Sequence, residues 1–370
     1  MRPIYEKAVA DAKAADTPEK RRGVGIAWGG FNVTEGGGDS AEVALELMPG
    51  NKIRKYDTWH AMGQGATTGS LVVTLEALKE MHLTPEDIQL IQNDTKTCPD
   101  TGMAGASRSL YMDGNATIIA ANKLLAAMRK EDGTLRTYDE MKAEGIETKY
   151  LGRYETNTTP GLCRLDPNTG IGDPTPAFTY CLNLAEVEVD TKTGKTTVLK
   201  FTCVDFVGRI GNIDAVNGQA YSGIMHGIGF ALKEDYADVK KHANMFGAGT
   251  SYIKDVPDDI NLIHIDGAIS DGPFGSSGAS EAFQASGHCA VLNGIYNACG
   301  VRIHEIPALP EKVKAGLDAI AKGEKPYEPK KYFLGSDMYE ELENIKENPV
   351  QVGTQSFYVS LDDPTAERPF

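Results

Sequence analysis

The segment from Asp271 to His288, DGPFGSSGASEAFQASGH, sets one carboxylate, Glu281, at the end of a run of glycines, serines and alanines. Small residues let backbone N–H groups approach a ligand closely, and a carboxylate at their end can act as a general base. Taken alone, Glu281 has a plainer reading. It is then a first-turn glutamate stabilised by the helix dipole, a role worth about 0.3–1 kcal/mol. Three other segments share this character: Gly63-Gln64-Gly65, Gly102 to Arg108 (GMAGASR), and Gly208 to Asn212 (GRIGN) leading to Gln219. Each precedes a stretch with helical spacing, and such junctions favour anions, phosphates above all. One glycine loop is usually just a turn. Four of one kind call for a common ligand.

Several other chemistries are excluded by pattern. None of the four segments is Gly-x-Gly-x-x-Gly after a strand, and none is a Walker sequence. Ser277 and Ser280 invite a nucleophile reading, but Gly-x-Ser-x-Gly with a downstream acid and histidine is absent from the required layout. The six cysteines (98, 163, 181, 203, 289, 299) form no Cys-x-x-Cys pair, and the seven histidines form no His-x-x-x-His pair. We read the cysteines as reduced, mostly buried thiols, and His226 and His288 as packing or capping residues. Asn157-Thr158-Thr159 reads as a polar loop.

The elements that must position these residues are legible from periodicity. Pro3 to Ala15 reads as a surface helix and Gly23 to Gly30 as a strand tolerating close backbone approach. Ala41–Leu47 and Lys52–Trp59 form a hairpin through Pro49-Gly50. Helical spacing marks Thr67–Met81, Tyr111–Met128, Val216–Tyr236 and Gly287–Ala298, and Thr84-Pro-Glu-Asp87 is a capping box before a strand at Ile88–Gln92. Lys130 to Pro160 reads as surface loop with short helices. A second hairpin joins Leu182–Asp190 to Thr196–Val204. The mixture predicts an α+β fold of hairpins and helices. The chain of 370 residues is long enough for a large core, and its net charge of -15 argues against nucleic acid or an anionic membrane as partner. The polar N-terminus shows no signal peptide and no run of about 18 apolar residues exists, so a cytoplasmic location is expected.

Taken in order, the motifs resemble a known family. They are Trp59-x-x-x-Gly63-Gln64-Gly65, Pro99 to Arg108, Gly208-x-x-x-Asn212 with Gly218-Gln219, and Gly272 to Glu281. Asn297 to His304 and Pro307 to Lys312 follow. This series, over about residues 1–320, resembles the second molybdopterin-binding domain of the xanthine oxidase and aldehyde oxidoreductase family. It is most similar to bacterial aldehyde oxidoreductases that use molybdopterin cytosine dinucleotide. The resemblance implies oxidative hydroxylation of an aldehyde or N-heterocycle, with Glu281 as the base that activates Mo–OH and hydride passing to Mo=S. It implies that Gln64 hydrogen-bonds an apical ligand of molybdenum, with Gly63 and Gly65 allowing close approach. Gly105, Ala106, Ser107 and Arg108 match a loop near the dinucleotide, and Lys20 falls near a nucleotide-contacting position. Gly211, Asn212, Ala215 and Gln219 match the segment holding the pterin and the cytidine end. Ser277, Gly278, Ala279 and Ser280 match the backbone that cradles the cofactor. No side chain is expected to ligate molybdenum directly; the pterin dithiolene holds it.

Three positions depart from the family pattern: Gly278-Ala-Ser-Glu281 for Gly-x-Gly-Glu, Met62 before Gly63, and Ala282-Phe283 after the base. The first molybdopterin domain, the 2Fe–2S domains and any flavin domain have no counterpart here. The expected organisation is a linker helix (1–22), the second molybdopterin-binding domain in two α+β subdomains (23–324) and an extended tail (325–370). The expected partners are a subunit carrying the first molybdopterin domain, a 2Fe–2S subunit or domain and, as a further option, a flavin (FAD) subunit. The alternatives are a non-catalytic cofactor-binding module, a truncated fragment of such an enzyme, and an unrelated phosphate-binding scaffold.

Overall fold

The alternating pattern of Leu182 to Asp190 is the seed of the larger sheet. In the computed structural model, which describes residues 1–34, 39–156 and 175–324, this stretch is the second half of a long strand. The strands are β1 (Lys20–Val33), β2 (Ser40–Met48), β3 (Lys52–Asp57), β4 (Ile88–Gln92), β5 (Lys149–Glu155), β6 (Ala177–Asp190), β7 (Thr196–Phe206) and β8 (Asp259–His264). The helices are α1 (Arg2–Ala15), α2 (Ala66–Ala77), α3 (Ser109–Met128), α4 (Tyr138–Ala143), α5 (Ile213–Leu232), α6 (Gly287–Cys299) and α7 (Pro310–Ala321). They build an α+β fold on two four-stranded sheets, in the orders β1-β6-β7-β8 and β4-β3-β2-β5.

In the first sheet β6 pairs antiparallel with β1 and with β7, while β8 joins β7 in parallel. One face is buried by α5 and α6, through Val187, Phe201, Ile224, Ile228, Phe283 and Val291 among others. The glycines of β1 have a steric reason. A Cβ on Gly25 would lie 1.9 Å from the Ala290 carbonyl oxygen of α6, so the helix lies directly on the strand. The second sheet is antiparallel except where β4 joins β3 in parallel. Its core of Leu45, Leu47, Ile53, Leu78, Leu124 and Met128 is closed by α2 and α3. A third cluster, including Val33, Val43, Tyr111, Met112 and Ala177, links the two sheets.

Three elements differ from the sequence reading. Lys149–Glu155, within the stretch read as loop and short helices, is an edge strand paired with β2. Of its seven residues only Gly152 is buried, so it carries no apolar alternation. The short strand β8 and helix α7 also went unread. The capping box at Thr84 forms as expected, on a single 3-10 turn. The expected tail (325–370) and the Asn157-Thr158-Thr159 loop lie outside the described residues.

Candidate active site

The four glycine-rich junctions converge on one cavity of about 670 Å³. That volume lies within the range usual for small-molecule and cofactor sites, roughly 300–1,000 Å³. Gln64, Gly65, Gly105, Ser107, Gly211, Asn212, Ala215, Gln219 and the run Ser277 to Glu281 all line it. Gly63, Ala106, Arg108 and Lys20 do not. Lys20 instead pairs with Asp190 at 2.9 Å at the far end of β1.

Each junction is held by its own physics. The segment after β3 hangs on Asp57, a fully buried carboxylate. Asp57 accepts from the Trp59 N–H at 3.2 Å, from Ser70 Oγ at 2.7 Å and from Gln92 Nε2 at 2.8 Å. Buried Lys55 lies 3.4 Å from Asp57 and 2.6 Å from Asp113 of α3. Burial pushes the Asp113 carboxyl up to about 6, with the Lys55 charge pulling the other way. Above this cluster Gln64 folds onto its own loop. Its Oε1 accepts the Met62 N–H at 2.6 Å, and its Nε2 donates to the His60 carbonyl at 2.7 Å. An amide nitrogen carries two protons, so one donor of Gln64 is left for a ligand.

The second junction is wound around Arg108. Its guanidinium grips Asp39 with two bonds of 2.7 Å and donates to the carbonyls of Ser40 (2.9 Å), Thr101 (3.1 Å) and Met103 (2.6 Å). The side chain is therefore buried in structure rather than turned to the cavity. Ala106 and Ser107 beside it sit at φ 49° and 50°, the left-handed region that costs a non-glycine residue about 1 kcal/mol or more.

The third junction follows β7. His264 at the end of β8 bridges buried Asp205 (2.8 Å) and Asn217 of α5 (2.8 Å), tying the loop between β7 and α5 to the sheet. Burial raises the Asp205 carboxyl, opposed by the His264 ring. Asn212 caps α5 by accepting the Ala215 N–H at 3.0 Å. By contrast α2 and α3 start with no side-chain cap, and the first residues of α3, Ser109 and Leu110, line the cavity, where uncapped N–H groups favour an anion.

The fourth junction carries Glu281 on a 3-10 turn, Ser280–Gln284, just before α6. Phe283 of this turn is fully buried, and a Cβ on Gly223 of α5 would lie 2.5 Å from it. The departure Ala282-Phe283 thus faces the core, while partly buried Glu281 faces the cavity. Met62, the second departure, is exposed and lines the cavity.

Sequence reasoning did not assign Trp59, Arg209, Ser222, His226, Phe274 or Gln284 to the site, yet all line the cavity. His226, read as packing or capping, bonds Gln284 at 3.0 Å there. A signal for it existed: Gln219, Ser222, Gly223 and His226 follow i, i+3, i+4, i+7 along one face of α5. Nothing in the sequence marks Gln284.

Two polar groups in the lining are buried without a partner, Trp59 Nε1 and Ser277 Oγ. The volume of the cavity, its walls of small residues and the uncapped start of α3 suit a phosphate-bearing cofactor. The residues therefore fit a pterin dinucleotide. Among the described residues no group of three or more His, Cys, Asp or Glu could hold a metal ion by itself.

Comparison with known proteins agrees with this chemistry. A family model described as "Molybdopterin cofactor-binding domain" matches residues 2–257. The chain is 40% identical over 319 residues to the aldehyde oxidoreductase of Megalodesulfovibrio gigas, covering 86% of this chain and 35% of that protein. The crystal structure of the aldehyde oxidoreductase from Desulfovibrio desulfuricans superposes with TM-score 0.81 at 43% identity, covering 85% of this chain and 34% of the other. The Desulfovibrio gigas enzyme activated with dithionite and sulfide gives TM-score 0.83 at 40% identity over 86% and 35%. The chain thus spans about a third of the length of these relatives. On this evidence the chain belongs to the molybdopterin cofactor-binding domain family, of the xanthine oxidase and aldehyde oxidoreductase type.

Proposed function

We propose that this chain is the part of a molybdenum hydroxylase that supplies the catalytic base, and that it oxidatively hydroxylates an aldehyde or N-heterocycle. The observation that carries this reading is the convergence of Glu281, Gln64 and three helix starts on one cavity whose lining holds the unpartnered Trp59 Nε1 and Ser277 Oγ. Residues 23–324 form the second molybdopterin-binding domain in this reading, with 1–22 as its linker. Bound molybdopterin, in its cytosine dinucleotide form, supplies the two-electron oxidation of the substrate carbon. The chain's own residues do the rest. The uncapped N–H groups at the start of α3 hold phosphate oxygens. The free N–H of Gln64 orients the reacting centre. Glu281 takes up, on a carboxylate oxygen, the proton released as the substrate is hydroxylated.

Further polypeptide completes the site: a first molybdopterin domain, a 2Fe–2S unit and, in some arrangements, FAD. Two observations support this. The chain matches only about a third of its relatives' length. On the sheet face away from α6, Trp28, Tyr180 and Phe178 stack in an exposed aromatic ladder beside the strip that α1 covers. Apolar patches of this kind mark interaction surfaces.

The test is Glu281→Gln in the molybdenum-loaded enzyme. Loss of a general base costs about 10²- to 10⁴-fold in turnover, while molybdenum content stays at the native level. A variant that keeps native turnover removes Glu281 from the chemistry and favours a binding module without catalysis.

A further inference from the structure

Glu281 reaches the cavity beside a residue that belongs to a different junction, separated from it by 174 positions in sequence. Ser107 Oγ donates to Glu281 Oε2, and the same oxygen faces the Glu281 backbone N–H at 3.4 Å. The hydroxyl therefore sits between the main chain and the carboxylate of one residue and closes a small ring on it. Among the described residues it is the side-chain donor to this carboxylate. The other charged or titratable side chains lining the cavity, Glu76 of α2, Arg209 and His226, form no hydrogen bond or ion pair with it.

Three features show that the contact is built into the fold. Ala106 and Ser107 are both held in the left-handed region. Arg108 pins the loop from behind through Asp39 and three carbonyls. On the other side a Cβ at position 278 would lie 1.7 Å from the Ser107 carbonyl oxygen, so a glycine three residues before the base is what lets the two loops meet. Local strain of this kind persists only where surrounding structure fixes it, and it gathers at functional sites.

The geometry points to Ser107 as a positioning residue that holds the Glu281 carboxylate in one rotamer, aimed into the cavity. This rests on the reading of Glu281 as the base. Without the hydroxyl the side chain samples several rotamers, and a misplacement of about 1 Å costs a large factor in rate. Ser107 thereby serves the reaction through Glu281 rather than by touching the cofactor.

The test uses the full chain without cofactor, carrying 13Cδ-labelled glutamate. The Glu281 carboxyl resonance is assigned by its loss in Glu281→Gln. At fixed pH it moves by more than its linewidth in both Ser107→Ala and Ser107→Gly. Alanine keeps the strained backbone and glycine relieves it, so a common shift reports the hydroxyl. A resonance that stays in place in either variant overturns the inference. In the molybdenum-loaded enzyme both variants lose about ten- to a hundredfold in kcat, with KM and molybdenum content near native. A resonance that moves while turnover does not leaves Ser107 as the holder of Glu281 and strikes instead the reading of Glu281 as base.

Discussion

Arg108 shows how a residue near a site can matter without touching a ligand. The family resemblance gave it a place beside the dinucleotide. Its guanidinium instead spends its fork on Asp39 and three backbone carbonyls, and it is 2% exposed. Lysine offers a single point charge and cannot reproduce that planar geometry. Arg108→Lys is expected to destabilise the fold by about 3 kcal/mol, because breaking a buried pair leaves charge and carbonyls uncompensated. Denaturant unfolding with an unchanged m-value checks this, and a loss below about 0.5 kcal/mol, the level of an ordinary surface change, contradicts it. The residues of the candidate site were legible where backbone approach selects small side chains: Gly65, Gly105, Gly211 and Ser277 to Ser280 all reach the cavity. The direction of the Arg108 side chain was not legible, because it is decided by tertiary partners, and Asp39 lies 69 positions away. The Ser107–Glu281 contact was invisible for the same reason.

At the scale of elements, the buried Lys55–Asp57–Asp113 cluster joins β3 to α3 under the loop that carries Gln64. One oxygen of Asp113 has no partner. Burial holds its carboxyl near 6, against about 4 in an unfolded chain. The folded protein therefore binds the extra proton between about pH 4 and 6, and this contribution to stability is lost as pH rises through that window. Asp113→Asn is expected to flatten that part of the stability profile, measured by denaturant midpoints across pH 4–7. An unchanged slope means that Asp113 titrates elsewhere. Strands β2 and β6 were readable from their alternation, and β3 and β7 because a turn pairs each of them back on its partner. Edge strand β5 and parallel strand β8 were not, since few of their residues face a core: Gly152 alone in β5 and no buried residue in β8.

For the whole molecule, two sheets and three helix starts bring residues from 59 to 284 to one cavity. The α+β class could be read from the mixture of hairpins and helices. The order of the strands could not, because both parallel pairings, β3 with β4 and β7 with β8, depend on long crossovers that leave no local mark. The exposed ladder of Trp28, Tyr180 and Phe178 was also hidden, since alternation along β1 and β6 says which residues share a face and not what covers it. In the proposed function cavity and ladder belong together: this chain holds molybdopterin and works with further polypeptide. The most direct measurement is the molybdenum content of the protein purified from its native cells, with identification of whatever polypeptide accompanies it. The proposed function predicts close to one molybdenum per chain, together with an iron–sulfur unit and a first molybdopterin domain. A single chain free of molybdenum contradicts it and leaves the proposed role of Glu281 without a basis.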